Sequence, residues 1–393
     1  MTQIFTQTVR PSSSHTPFIT RIQRAKRPPP SLAHTARAVK GLCVSFRAPS
    51  SNHSCPTSKT QNNVLSIISR PTCQAETMNK PRSYHASYQF EIVMPEPFDF
   101  SLTVAKPAGW HWSTPREVFR DGTLWSGTYV NGKPVGLKLS AVNDSVIVSV
   151  YVQSHLTNNE EAALQTSIRI GLGENEDLSA FYSFAHNDDV LSIAVQDLYG
   201  MRVGRLDDLF GRVILATTLQ MAPLKRSQDM MARLLERYGT NIAFDGREVV
   251  LWPRPSNIAK RDPTELRREA RLGYRAERLV KAARYLLEHP MSLNELERQP
   301  ETEAVKNVME IPGIGAYSAG LIVGQDSVPL DVWSVVIMSE LLLGRKPKHP
   351  RQEIDAVTQA VRGRWGKWAW MAFVYVVNDL PKLGTIYNLS RLT

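Results

Sequence analysis

Between Met309 and Val336 the chain reads MEIPGIGAYSAGLIVGQDSVPLDVWSVV, and two features of it could do chemistry. Pro312 and Gly313 end one helical pattern, and Gly315 precedes the next. A Gly-x-Gly corner leaves the N–H groups of a helix N-terminus unpaired and lets an anion such as phosphate approach the backbone. Sixteen residues beyond Gly315, Asp331 stands at the head of VWSVVIMSELLLG, which is apolar nearly all round and so expected to be buried. Asp in that place is a favoured helix cap. The same N-terminus stabilises the ionised carboxylate. An anion held in an apolar wall can stabilise a developing cation or orient a water molecule. On the residues alone, cap and catalyst both stay open.

These features need elements to hold them. From about residue 160 to the end, apolar residues recur at helical spacing. DLFGRVILATTLQMAPLKRSQDMMARLLERYG (208–239) predicts two helices flanking Gln220–Pro223. PTELRREARLGYRAERLVKAARYLLEH (263–289) predicts an amphipathic pair broken at Gly273. TEAVKNVME (302–310), residues 352–363 and WGKWAWMAFVYVVND (365–379) read as further helices. The N-terminal part has another texture. TLWSGTYV (123–130), PVGLKLS (134–140) and SVIVSVYV (145–152) are β-rich runs split by Asn131-Gly132 and Asn143-Asp144, which signal hairpins. Residues 88–155 therefore read as an antiparallel sheet. The expected fold class is α+β: an antiparallel β-rich domain (88–200), then an all-helical body (201–393), behind a leader (1–80).

Composition narrows the classes. A chain of 393 residues supports one or two domains with real cores. The formal net charge of +10 comes from the leader: residues 1–80 hold eleven Lys and Arg against Glu76 alone, leaving 36 basic and 36 acidic residues beyond. A nucleic-acid surface must then be local, and 260–284, which includes Arg275 and Arg278, is the densest basic stretch. Interspersed Glu265, Glu269 and Glu277 account for part of it as a solvated helix face. Cys43, Cys55 and Cys73 all lie in the leader, so neither a disulfide framework nor an iron–sulfur cluster is expected in the body. No apolar run reaches the ~20 residues of a membrane span. The acid-poor leader reads as disorder. It also fits an organellar transit segment, and RAKR (24–27) fits a nuclear import patch. The nucleus is the expected location, with the mitochondrion as the alternative.

IPGIGAYSAG followed by PLDVW resembles the helix–hairpin–helix DNA glycosylase superfamily, whose signature is this hairpin followed by Gly/Pro and an essential Asp. The family places that Asp about twenty residues on, so the connection here is shorter. LGYRAERLVKAARYL (272–286) resembles the family's Gly-(Tyr/Phe)-Arg-Ala helix, and VILATTLQMAPLKRSQDMMARL (213–234) its early helix–loop–helix, which often carries a Gln in the loop. PFDFSLTVAKPAG and GTLWSGTYVNGKPVGLKLS resemble the antiparallel N-terminal domain of the DNA-3-methyladenine glycosylase II and 8-oxoguanine branches. The resemblance spans about 88–385.

The resemblance implies the following. Asp331 is the catalytic carboxylate. Two residues past the second hairpin glycine, one branch carries a Lys that forms a Schiff base and cleaves the strand. Here that position is Tyr317, and a phenol cannot form an imine. The implied activity is therefore monofunctional, releasing a flipped, damaged, alkylated purine with water as nucleophile. Tyr317, Trp333 and Trp365 are candidates for the base pocket, with Trp368 and Trp370 behind them. Gly313, Ile314 and Gly315 would offer backbone to phosphate, Arg275 would add charge, and Gln220 or Met221 would fill the gap left by the base. The backbone carbonyls of Met309, Ile311 and Ile314 correspond to those that hold a monovalent cation in the family. No other cofactor is expected. The expected partner is double-stranded DNA with a damaged base, met by a monomer away from any membrane. An oxidised purine such as 8-oxoguanine is the alternative substrate, and a degenerate DNA-binding module the alternative class.

Overall fold

The computed structural model describes residues 82–392 apart from 110–111, 207, 223 and 325–327. The leader and its three cysteines lie outside the described residues, and so do the targeting expectations that rest on them.

The chain first forms β1 (Arg82–Ser83), β2 (His85–Val93), α1 (Phe100–Ala105), β3 (Val118–Arg120), β4 (Thr123–Val130), β5 (Lys133–Val142) and β6 (Ser145–Val152). Strands β2-β6-β5-β4-β3 make an antiparallel sheet in that order. Asn131-Gly132 and Asn143-Asp144 are its two-residue turns, as the pairs Val130↔Lys133 and Val142↔Ser145 require. In β6, Val146, Val148, Val150 and Val152 alternate into one face, the period-2 pattern of a half-buried strand. They pack with Phe100, Val104 and Trp112 and with Leu164 and Ile168 of α2 (Asn158–Gly171). On the other face lies a small sheet, β1-β7-β8, built with β7 (Thr240–Phe244) and β8 (Arg247–Leu251). The two sheets meet where Gly127 pairs with Gly136. A Cβ on either would lie 2.6 Å from Leu251 or Phe244, so only glycine allows that approach.

Two helical cores follow. One comprises α5 (Leu209–Leu219), α6 (Leu224–Tyr238), α7 (Pro255–Ile258), α8 (Pro263–Glu269), α9 (Arg275–Glu288), α10 (Leu293–Glu297), α11 (Glu301–Met309) and α12 (Ala316–Val323). The other joins α3 (Leu178–Ala185) and α4 (Leu191–Asp197) to α13 (Ser334–Leu343), α14 (Ile354–Trp365), a 3-10 turn at Gly366–Trp368, α15 (Ala369–Asn378) and α16 (Leu380–Tyr387). Packing therefore does not follow the expected division at residue 200. Residues 158–197 are helical, and α3 and α4 bury their apolar faces against the C-terminal helices. The hairpin β7–β8 sits inside the stretch expected to be all helix. Short β and α patterns reveal period, and period does not reveal which face meets which partner.

Arg202 braces the join between the sheet region and α3. It is 1 % exposed, and its guanidinium donates to the carbonyls of Gly173 (2.6 Å), Glu176 (2.8 Å), Pro95 (2.5 Å) and Pro97 (3.3 Å). Arg202→Met would leave those acceptors unpaired in the interior. We expect a loss of about 3 kcal/mol or more, read as a lower midpoint in urea unfolding.

Candidate active site and DNA-facing corner

Helix α11 has Glu301 and Glu303 in its first turn and Lys306 in its last, the order its dipole favours. It ends in a tight turn in which Ile311 N–H donates to Val308 O and Ile314 N–H to Ile311 O, both at 3.1 Å. Gly313 sits at φ +87, and a Cβ there would lie 2.9 Å from the root of the Arg278 side chain. Gly315 is different: its φ is −102, it caps α12, and nothing lies within 4 Å of where its Cβ would be. Open space in front of the N-terminus leaves room for an anion at first-turn amides that have no intrahelical acceptor. The Ile311 and Ile314 side chains are buried, whereas Met309 is largely exposed. The Ile311 carbonyl, although used by the turn, keeps a second lone pair.

Gln220, in the α5–α6 loop, ties this corner down. Its side-chain amide donates to Gly313 O and to Ser318 Oγ, both at 3.0 Å, and its Oε1 accepts from Arg278 at 2.8 Å. Its backbone carbonyl accepts from Arg275 and from the Tyr274 hydroxyl. Two expectations are corrected here. The Gln220 side chain is committed to the hairpin and does not point into a gap. Its neighbour Met221, 70 % exposed at φ +49, is the residue that projects. Arg275 is 2 % exposed and does not reach outward. Helix phase explains why: positions 275, 279, 283 and 286 form the buried stripe of α9. The Arg275 guanidinium lies 4.5 Å from the centre of the Tyr274 ring, and burial lowers its pKa from the ordinary value. Arg278, one turn on and exposed, is the cation that stands beside Gly313.

Asp331 is a helix cap in full. Its Oδ1 accepts from Trp333 N–H (3.0 Å), Ser334 N–H (2.8 Å) and Ser334 Oγ (2.8 Å), and its carbonyl accepts from Val335 N–H (2.9 Å). Regular helix is counted from Ser334, yet Asp331 supplies the N-cap bonds. All three side-chain bonds fall on Oδ1, which fixes the carboxylate plane while Oδ2 takes part in none of them. Tyr317 lies in the field of this carboxylate. Burial first, and the Asp331 charge second, push its phenol pKa up, so the hydroxyl stays protonated. Trp333, 41 % exposed, flanks Asp331. Trp365 does not join this group. It is 1 % exposed and its indole donates to Asp188 at 3.0 Å, which makes it a core residue and corrects its place among the pocket candidates.

A cavity of about 710 Å³ opens between the two helical cores. Leu321 and Gly324 of the α12 end line it, with Trp368, Trp370 and Phe373 opposite and Lys106 and Glu176 at one side. Asp331 and Tyr317 are not among its lining residues. Tyr317 is nevertheless joined to it along α12: Tyr317, Leu321 and the capping Gly324 fall at i, i+4 and i+7, a single stripe. Trp368 and Trp370 were legible as aromatics near the C-terminus. Glu176, in the polar run GENED, gave no signal that it lines a cavity.

No family model matches the chain. It is 24% identical over 207 residues to the DNA-3-methyladenine glycosylase of Bacillus subtilis (strain 168), a match covering 51% of this chain and 67% of that protein. Among solved structures it is similar to a 3-methyladenine DNA-glycosylase from Archaeoglobus fulgidus, with a TM-score of 0.60, 19% identity, and 75% and 98% of the two chains covered. It is also similar to the 8-oxoguanine glycosylase/lyase of Clostridium acetobutylicum, with a TM-score of 0.58, 14% identity, and 76% and 98% covered. With the hairpin, the capped Asp331 and the antiparallel sheet in place, the fold is that of the helix–hairpin–helix DNA glycosylases, as the sequence resemblance implied. The proteins it is similar to include a 3-methyladenine and an 8-oxoguanine enzyme.

The two hairpin glycines should respond differently. Gly313→Ala combines a left-handed φ with a clash and should cost about 1–3 kcal/mol. Gly315→Ala should stay within about 0.5 kcal/mol. Thermal melting reads both, and retention of an abasic-analogue duplex should weaken for Gly313→Ala.

Proposed function

We propose that the chain is a monofunctional DNA glycosylase of base excision repair, releasing an alkylated purine from double-stranded DNA. The observation that carries this reading is the pairing of Asp331, fixed through Oδ1 at a helix N-terminus, with Tyr317 where a lyase would hold its lysine. A damaged nucleotide leaves the stack at a cost of a few kcal/mol. The glycosidic bond breaks with its electron pair going to the base, and an alkylated base that was cationic departs neutral. Positive charge builds on the sugar at C1′, and the Asp331 carboxylate stabilises it. Water adds to C1′ and gives up a proton, which Asp331 is placed to accept. The products are a free base and an abasic site, with the strand intact.

The hairpin and the exposed Arg278 would hold the phosphate backbone, and the projecting Met221 would occupy the gap in the stack. The carbonyls of Met309, Ile311 and Ile314 are the groups that would hold a monovalent cation against a phosphate, adding charge to the clamp without entering the reaction. The cavity lined by Trp368, Trp370 and Phe373 is the receptacle proposed for the base. Action as a monomer in the nucleus, or in the mitochondrion, belongs to the same proposal.

Asp331→Asn should lower base release by roughly 100- to 1000-fold while retention of abasic-analogue DNA stays within about twofold. Duplexes with an alkylpurine, hypoxanthine or 8-oxoguanine give the substrate. Products compared with and without alkali give the mechanism: strand breaks without alkali, or a borohydride-trapped covalent complex, would replace this reading with a lyase.

A further inference from the structure

The cavity between the helical cores is aromatic on one side and charged on the other. Glu176 is fixed there by its backbone neighbours: its Oε2 accepts from Val203 N–H at 2.9 Å, and the Gly204 amide bonds the same carboxyl group. Gly173 makes room for it, since a Cβ at that position would lie 2.7 Å from the Glu176 carboxyl carbon. The nearest cations are spread over carbonyls. Lys106, 2 % exposed, donates to Thr103 O (2.6 Å) and Gly204 O (3.0 Å), and Arg202 bonds four carbonyls. Across the cavity, Arg212 and Glu297 pair at 3.5 Å, and Lys367 lies 4.8 Å from the centre of the Trp368 ring. Arg205 completes the charged lining.

Resting on the glycosylase reading of this cavity, we propose that Glu176 is a specificity-determining residue, whose carboxylate selects an extruded purine made cationic by alkylation over its neutral counterpart. Two kinds of group converge on such a base. The faces of Trp368, Trp370 and Phe373 attract a cationic ring. The carboxylate takes a charge-assisted hydrogen bond from its edge. Burial pushes the Glu176 carboxyl up to about 7, against the lowering effect of the Val203 amide, Lys106 and Arg202. Around neutrality the group therefore passes from a neutral acid to an anion, and the preference for a cation should strengthen as pH rises through that value.

The test needs no catalysis. Full-length protein is titrated with 7,9-dimethyladeninium, which has no ring N–H to lose and stays cationic from pH 5.5 to 8.5, and with its neutral counterpart 9-methyladenine, following tryptophan fluorescence. Wild type should prefer the cation by about tenfold or more, Glu176→Gln should lose that preference, and Glu176→Asp should keep part of it. Should Glu176→Gln melt too early to titrate, wild type alone decides: the preference should fall as pH is lowered from 8.5 to 5.5. Equal affinities in wild type, or a preference unmoved by Glu176→Gln or by pH, would overturn the proposal. Base release from lesion duplexes separates the two readings. Release without a Glu176-dependent preference removes this inference alone. A Glu176-dependent preference in a protein that releases no base keeps the charge selection and removes the glycosylase reading.

Discussion

A buried guanidinium governs the geometry of the hairpin corner. Arg275 cannot give up its charge in any ordinary pH range, so its removal from water must be compensated locally. The compensation is the Gln220 carbonyl and the face of Tyr274. That choice fixes the backbone at the end of α5, and the Gln220 side chain is then delivered to Gly313, Ser318 and Arg278. Gln220 thereby locks partners that lie 58 to 98 residues further along the chain. A hairpin held this way needs little reorganisation to meet a phosphate, and preorganisation is where such sites gain most of their strength.

Helix α12 carries the geometry inward. Its N-terminus is the open end of the hairpin, and its first turn holds Tyr317 beside Asp331. Its last turn reaches the cavity at Leu321 and Gly324. The same bonds that make Asp331 an ordinary cap also fix the orientation that the proposed chemistry requires, because they all draw on one oxygen. Structural and chemical demands coincide here, so the site asks for no strained backbone at the acid itself.

Much of this was legible in residue order. Asn131-Gly132 and Asn143-Asp144 marked the sheet because few other dipeptides accept those turns. Period 3.6 marked the helices, and the Pro-Gly-Ile-Gly corner forms a turn between two helices with Asp331 at the head of a third, as the pattern predicts. Failures came where depth depends on a distant partner. Counting charge on α9 favoured Arg275, but helix phase buries it and leaves Arg278 outside. Trp365 looked like any C-terminal aromatic until Asp188, 177 positions away, claimed its indole. Glu176 sat in an unremarkable acidic run, and only the tertiary fold brings it to a cavity wall.

That distance between Asp188 and Trp365 has a meaning for synthesis as well. The apolar faces of α3 and α4 are finished by helices that the ribosome makes much later. At ~5–20 residues per second, the earlier pair waits roughly ten to thirty-five seconds for its cover. The nascent chain thus carries a sticky, half-built lobe through that interval, and its yield in a cell depends on how well the interval is chaperoned.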